Sequence, residues 1–222
     1  MFRHRKCGLL IQGSVTENTG FNSRCSTTVS VGFNRRGGLS APSFLERKDT
    51  MLKFYDIDPA YANYLRQFDQ RIPNISYGTN NKFVCGIVLS VSGYNYFAPI
   101  SSNTARQQTN ILITDDTGRV LSSIKFSFMF PAPTTVITPK NFRAIRAVDS
   151  AYADLLEKEY EFCKKNEQAI RDKAMKVYRI GCNPGHVLHR NCCDFHLLEE
   201  KQDEWIAAQN VVAGKNQETQ AE

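Results

Sequence analysis

Long apolar runs are missing from this chain of 222 residues. None approaches the ~18–20 residues that a membrane-spanning helix needs. After the basic start (Arg3, Arg5, Lys6) the apolar stretch runs only from Gly8 to Ile11, too short for the core of a secretory signal. The seven cysteines lack the even count and regular spacing of a disulfide scaffold, so reduced thiols in a cytoplasmic protein are expected. There is no HExxH, no Walker loop, no GxGxxG and no GxSxG. Those absences remove zincin, phosphate-loop, dinucleotide-binding and serine-hydrolase chemistry from the first set of candidates. With 41% apolar and 23% charged residues, the composition is that of a globular protein, not a collagen-like, coiled-coil or wholly disordered one.

The net charge of +6 is unevenly spread. Residues 1–50 carry +5, residues 51–150 carry +4, and residues 151–222 carry −3. Much of the basicity therefore sits in the first fifty residues, and bulk charge alone is weak evidence for a nucleic-acid partner.

Those fifty residues are rich in Gly, Ser, Thr, Asn and Arg and show neither helical nor strand periodicity, so no packed structure is expected there. They contain an echo at a period of twelve: residues 14–24 match 26–36 at Ser14/Ser26, Thr16/Thr28, Gly20/Gly32, Phe21/Phe33, Asn22/Asn34 and Arg24/Arg36. That period is shorter than those of solenoid repeats.

From Met51 the pattern changes. LKFYDI (52–57) reads as a strand, and Asp58-Pro59 supplies a cap and a first-turn proline for a helix to about residue 68. Its Tyr61, Tyr64, Leu65 and Phe68 form a core-facing stripe. Residues 82–91 and 94–98 read as a hairpin around Ser92-Gly93, and 110–114 and 119–123 flank the turn signal Asp-Asp-Thr-Gly. Alternation over 124–130 predicts one more strand before Pro131 and Pro133. Residues 149–179 then read as helix, with a break near Asn166 and one face of Leu155, Leu156, Cys163, Ile170, Ala174 and Val177. A last helix is expected over 194–209, with a polar tail fraying from Val211. The fold class is α+β: a twisted antiparallel sheet or small barrel, one N-terminal helix, and long C-terminal helices.

Two constellations could carry chemistry. Cys182, His186, His189, Cys192, Cys193 and His196 have enough ligands for zinc, but their spacing matches no common zinc pattern. The other is quieter. Tyr77 and Lys82 enter one strand of the 82–98 hairpin, and Ser101, Ser102, Thr104 and Arg106 follow the other, so both loops fall at one end of the sheet. A tyrosine can stack on a base, cations can hold a phosphate, and hydroxyls can position a ribose 2′-OH. Those are the parts needed to cleave RNA without a metal. Solvated loop residues are the plainer reading of the same set.

The ordered segments LKFYDI (52–57), YLRQFD (64–69), IPN (72–74), GIVLSVSGYNYFAPISS (86–102), FMFP (128–131) and CDFHLLEEK (193–201) resemble the ToxN/AbiQ/CptN family of type III toxin–antitoxin endoribonucleases. The resemblance covers 51–205 and none of 1–50. It implies a Kid/MazF-like antiparallel core and a cytoplasmic ribonuclease without metal or other cofactor, leaving a 2′,3′-cyclic phosphate. It further implies phage defence by abortive infection, with cellular or phage RNA as substrate. The partner implied is a cognate repetitive RNA, folded as a pseudoknot, in a closed protein–RNA assembly. The family's catalytic Tyr, Lys and Thr/Ser-Ser fall on Tyr77, Lys82, Ser101 and Ser102. The lysine that usually follows is absent, and Arg106 stands nearest. Tyr77, Lys82, Arg106 and Lys125 are the expected RNA contacts. Because the family's antitoxin repeats are encoded just upstream of the toxin, residues 1–50 are expected to be read-through of such DNA, and 51–222 the toxin domain. A non-catalytic RNA-binding regulator and a zinc-stabilised interaction protein are the alternatives.

Overall fold

The structure, a computed structural model, describes residues 52–75 and 82–218, with side chains to Val211. The expectation for residues 1–50 lies outside the described residues.

The chain opens with β1 (Lys53–Ile57) and α1 (Pro59–Phe68). The expected cap is present: the Asp58 carboxylate accepts from the Ala60 N–H at 2.8 Å, with Pro59 in the first turn. The hairpin follows as β2 (Val84–Val91) and β3 (Tyr94–Ser101). Its turn residues Ser92 and Gly93 have φ of 50° and 88°, the left-handed pair that a two-residue hairpin requires. Next come β4 (Asn110–Thr114) and β5 (Val120–Lys125), joined by a turn in which the Asp115 carboxylate accepts from the Thr117 and Arg119 N–H groups.

The sheet runs β4-β5-β3-β2-β1-β7, antiparallel throughout, with β7 (Ile137–Pro139) at the far edge and β6 (Phe130–Pro131) added beside β3. It is an open sheet, not a closed barrel. The single strand expected over 124–130 is a correction: the chain leaves β5 in a 3₁₀ turn, Phe126–Phe128, before β6. The cause is tertiary. Phe126 is fully buried, and the Ser127 carbonyl accepts from the Cys193 N–H at 2.8 Å, which the straight strand would not allow.

The helical half has one more element than expected. A short α2 (Phe142–Val148), capped by Asn141, precedes α3 (Ser150–Lys165) and α4 (Glu167–Gly181), which separate at Asn166. Asp149 caps α3 through the Tyr152 N–H. Leu156, Cys163, Ile170, Ala174 and Val177 are buried as expected, while Leu155 is only half-buried. The last helix, α5 (Phe195–Glu218), continues beyond the expected residue 209. Among the described residues, no helix is long and apolar enough to cross a membrane.

The core lies where the sheet meets α1, α4 and the start of α5, around Tyr61, Tyr96, Phe97, Phe126, Phe130 and Phe195. Two glycines are fixed by it. A Cβ at Gly86 would overlap the Phe97 ring, and one at Gly181 would overlap Phe195. Overpacking a core typically costs about 1–3 kcal/mol. Gly86→Ala is therefore expected to lower the unfolding free energy by that much, measured by urea unfolding, and a stability equal to wild type would contradict the packing described.

Candidate active site

The site is built from the ends of β2, β3 and β5. The β2–β3 register pairs Val84 with Pro99, and the Ile100 N–H donates to the Phe83 carbonyl at 3.3 Å. One further step sets Lys82 opposite Ser101. On its other side Ser101 pairs with Ser123 of β5. Ser101 is half-buried, and Ser102 and Arg106 are exposed on the loop that follows. Lys82, Ser101 and Ser102 thus share one end of the sheet, as expected, while Arg106 lies further along the loop, between Ala105 and Gln107, which Asn110 holds. Tyr77 lies outside the described residues.

What holds the 102–109 loop is a set of buried polar groups. The Ser123 hydroxyl, fully buried, donates to the Asn103 carbonyl at 2.6 Å. Asn110 donates to the Ala105 carbonyl and accepts from the Gln107 N–H, both at 2.9 Å. The Asn103 side chain accepts from the Ala105 N–H, and the Asn103 N–H donates to the Ser101 hydroxyl. Lys125 is 5% exposed, and its ammonium donates to the Gln107 side-chain carbonyl at 3.2 Å. Burial pushes the Lys125 pKa below the usual lysine value. This lysine underlies the loop and does not face outward.

The Cys/His segment is arranged otherwise than as a ligand set. The His189 ring meets the Gly181 carbonyl at 2.6 Å, the His186 ring accepts from the Leu188 N–H, and the Cys192 thiol lies 3.6 Å from the Leu188 carbonyl. Burial pushes the Cys192 thiol up to about 11 and Cys193 well above its usual value. Among the described residues no three His, Cys, Asp or Glu converge as a metal ion requires.

Two structural clusters were not singled out from the sequence. Asp69, 4% exposed, accepts from the Arg71 N–H and Nε at 2.9 and 2.8 Å and from the Asp194 N–H at 2.9 Å. Arg71 also donates to the Arg190 carbonyl. Burial pushes the Asp69 carboxyl up, but the Arg71 guanidinium and these N–H groups outweigh it and hold it below the ordinary carboxylate range. Glu199, 8% exposed, accepts from Tyr96 at 2.7 Å and Tyr178 at 2.9 Å, with the His196 ring 3.2 Å from its second oxygen. The only signals were the carboxylates in YLRQFD and CDFHLLEEK, which carry no local period.

Comparison with known proteins identifies the family and the fold. The family described as "Toxin ToxN, type III toxin-antitoxin system" matches residues 53–203. Endoribonuclease ToxN of Bacillus thuringiensis subsp. kurstaki is 27% identical over 69% of this chain and 84% of its own length. Endoribonuclease AbiQ of Lactococcus lactis subsp. lactis is 25% identical over 68% of this chain and 87% of its own length. A solved type III toxin, studied for selective inhibition by a non-coding RNA pseudoknot, superposes with a TM-score of 0.66 at 27% identity, covering 69% of this chain and 97% of that one. The solved AbiQ, a lactococcal anti-phage endoribonuclease, gives 0.63 at 22% identity over 71% of this chain and 99% of that one, a likeness of fold.

A depressed folded-state pKa stabilises the fold above the unfolded value, near 3.9 for aspartate, and the contribution is lost as pH falls through the folded pKa. Asp69→Asn is expected to lower stability by about 1.5–3 kcal/mol at pH 7. The gap to wild type should narrow below pH ~4. Urea unfolding at both pH values checks this; a gap that does not change with pH would contradict an ionised, hydrogen-bonded Asp69.

Proposed function

The chain belongs to the ToxN family of type III toxin–antitoxin system toxins, and we propose that its 51–222 region is a metal-independent endoribonuclease acting through Tyr77, Lys82, Ser101, Ser102 and Arg106. The relatives it matches are named endoribonucleases. The single observation that supports the site assignment is the hairpin register, in which Lys82 comes opposite Ser101, with the loop that follows held by Ser123 and Asn110.

The chemistry follows from those groups. The ribose 2′-oxygen gives up its proton and bonds to the adjacent phosphorus, the bond to the 5′-oxygen breaks, and that oxygen takes up a proton. The products are a 2′,3′-cyclic phosphate and a 5′-hydroxyl. Such a reaction needs in-line alignment and donors aimed at the charge that develops on phosphorus. Ser101 and Ser102 position the 2′-OH and phosphate, Lys82 and Arg106 stabilise the phosphorane, and Tyr77 stacks on a base. Residues 101–110 contain no Asp or Glu, so this loop supplies hydroxyls and a cation in place of the carboxylates that a divalent ion would want. Lys125 supports the loop from beneath.

A toxin of this kind needs an inhibitor. For one solved relative it is a non-coding RNA pseudoknot, and for another a processed non-coding RNA regulates the antiviral system. A cognate repetitive RNA that fills the site and closes into an assembly with this toxin is the matching proposal here, with cellular or phage RNA as substrate in the cytoplasm. The family match from residue 53 supports a toxin domain beginning at Met51.

Ser102→Ala removes one exposed hydroxyl and none of the bonds that pin the loop. Loss of a single transition-state donor costs about 10²–10³ in rate. Cleavage of a transcript by this variant should fall by that factor, with the unfolding midpoint and RNA binding kept. Wild-type cleavage rates in Ser102→Ala would remove Ser102 from the site.

A further inference from the structure

Beside the pinned loop the surface sinks into a cavity of about 480 Å³. Its walls come from separate parts of the chain: Arg71 after α1, Gln107 and Gln108 on the loop, Phe128 at the end of the 3₁₀ turn, and Asn191 before α5. Among the described residues the lining therefore offers a half-buried aromatic ring, three side-chain amides and one guanidinium, with no carboxylate. A flat heterocycle with donors and acceptors along its edge suits that set. The ring packs on Phe128 and the edge meets the Gln108 and Asn191 amides, each of which presents a donor and an acceptor side by side, while the Gln107 carbonyl is committed to Lys125.

Arg71 has a different part. Its Nε is committed to Asp69 and one terminal nitrogen to the Arg190 carbonyl, so it cannot fork onto a base edge in the bidentate way. Its charge is left for the sugar–phosphate chain at the rim, held in place by the buried Asp69.

The cavity's distance from the candidate site can be read from β5. Ser123 holds the Asn103 carbonyl and Lys125 holds the Gln107 side chain, and these two residues lie on the same face, two apart. Two residues along a strand span ~7 Å. The points on β5 that hold the two ends of the loop are thus roughly that step apart, so the cavity lies along the strand from the Ser101–Ser102 end.

We propose that this cavity receives the base of the nucleotide next to the cleaved phosphate, and that Gln108 and Asn191 read its edge and so set where the RNA is cut. The assignment rests on the endoribonuclease reading above. It adds specificity-determining residues that take no part in bond making or breaking.

The test maps every cut made in a long transcript of mixed sequence by wild type, Gln108→Ala and Asn191→Ala. Both side chains are exposed, so both variants are expected to fold. Wild type should favour one base at a fixed position flanking the cut. Each variant should weaken that preference by about tenfold, the discrimination of one good amide–base pair, while preferences at other positions stay. An unchanged cut pattern overturns the proposal, and so does uniform slowing at all sites, which would mark a structural role. A wild type that cleaves no RNA removes the endoribonuclease reading and this one with it. Altered site choice with retained cleavage separates the two.

Discussion

The loop that carries Ser102 and Arg106 has almost nothing apolar to bury: between residues 102 and 109 only Ala105 is apolar. Its path depends on polar groups beneath it. Ser123, Asn110 and Lys125 supply them, each buried and each with its hydrogen bonds directed at the loop. Burying such groups is costly unless they are satisfied, so loop and sheet end stabilise each other or neither holds. The register of β5 against β3 decides the matter, since a slip by one residue would turn Ser123 and Lys125 away and Ile124 toward the loop.

The helical half is tied to the sheet and to α1 by carboxylates. Asp69 joins the end of α1 to the start of α5, and Glu199 joins α5 to β3 and α4 through Tyr96 and Tyr178. Aromatic contact fills the space between, with Tyr178 stacked on Phe195 at 5.5 Å. The close fit of Phe195 over Gly181 leaves no room for a methyl group. Ser127 then accepts from Cys193, which brings the start of α5 against the chain just after β5. The far wall of the cavity beside the loop is a product of that docking.

Elements whose cause is local were legible in the amino-acid order. Asp58-Pro59 and Ser92-Gly93 state their own caps and turn, and Asn166 marks the break between α3 and α4. Where the cause is distant, local reading fails. Ile124-Lys125-Phe126-Ser127-Phe128 alternates like a strand, yet the contact of Ser127 with Cys193 bends it. The short α2 buries none of its residues fully, so it left no periodic trace. At the site, the hairpin logic that brings Lys82 near Ser101 needs only chain order. The supports beneath the loop depend on strand register, which a single sequence does not display.

These parts describe a scaffold that holds hydroxyls and cations at one end of a sheet, in a family of RNA-cleaving toxins. The central claim is that the substrate's own 2′-oxygen is the nucleophile, aligned by this loop. The most direct measurement uses an RNA with one mapped cut site, prepared with and without a single 2′-deoxy substitution there, incubated with the protein in EDTA. The account predicts that the all-ribose strand is cut to a 2′,3′-cyclic phosphate and that the substituted strand survives. Cleavage at the deoxy position, or loss of all cleavage in EDTA, would contradict it.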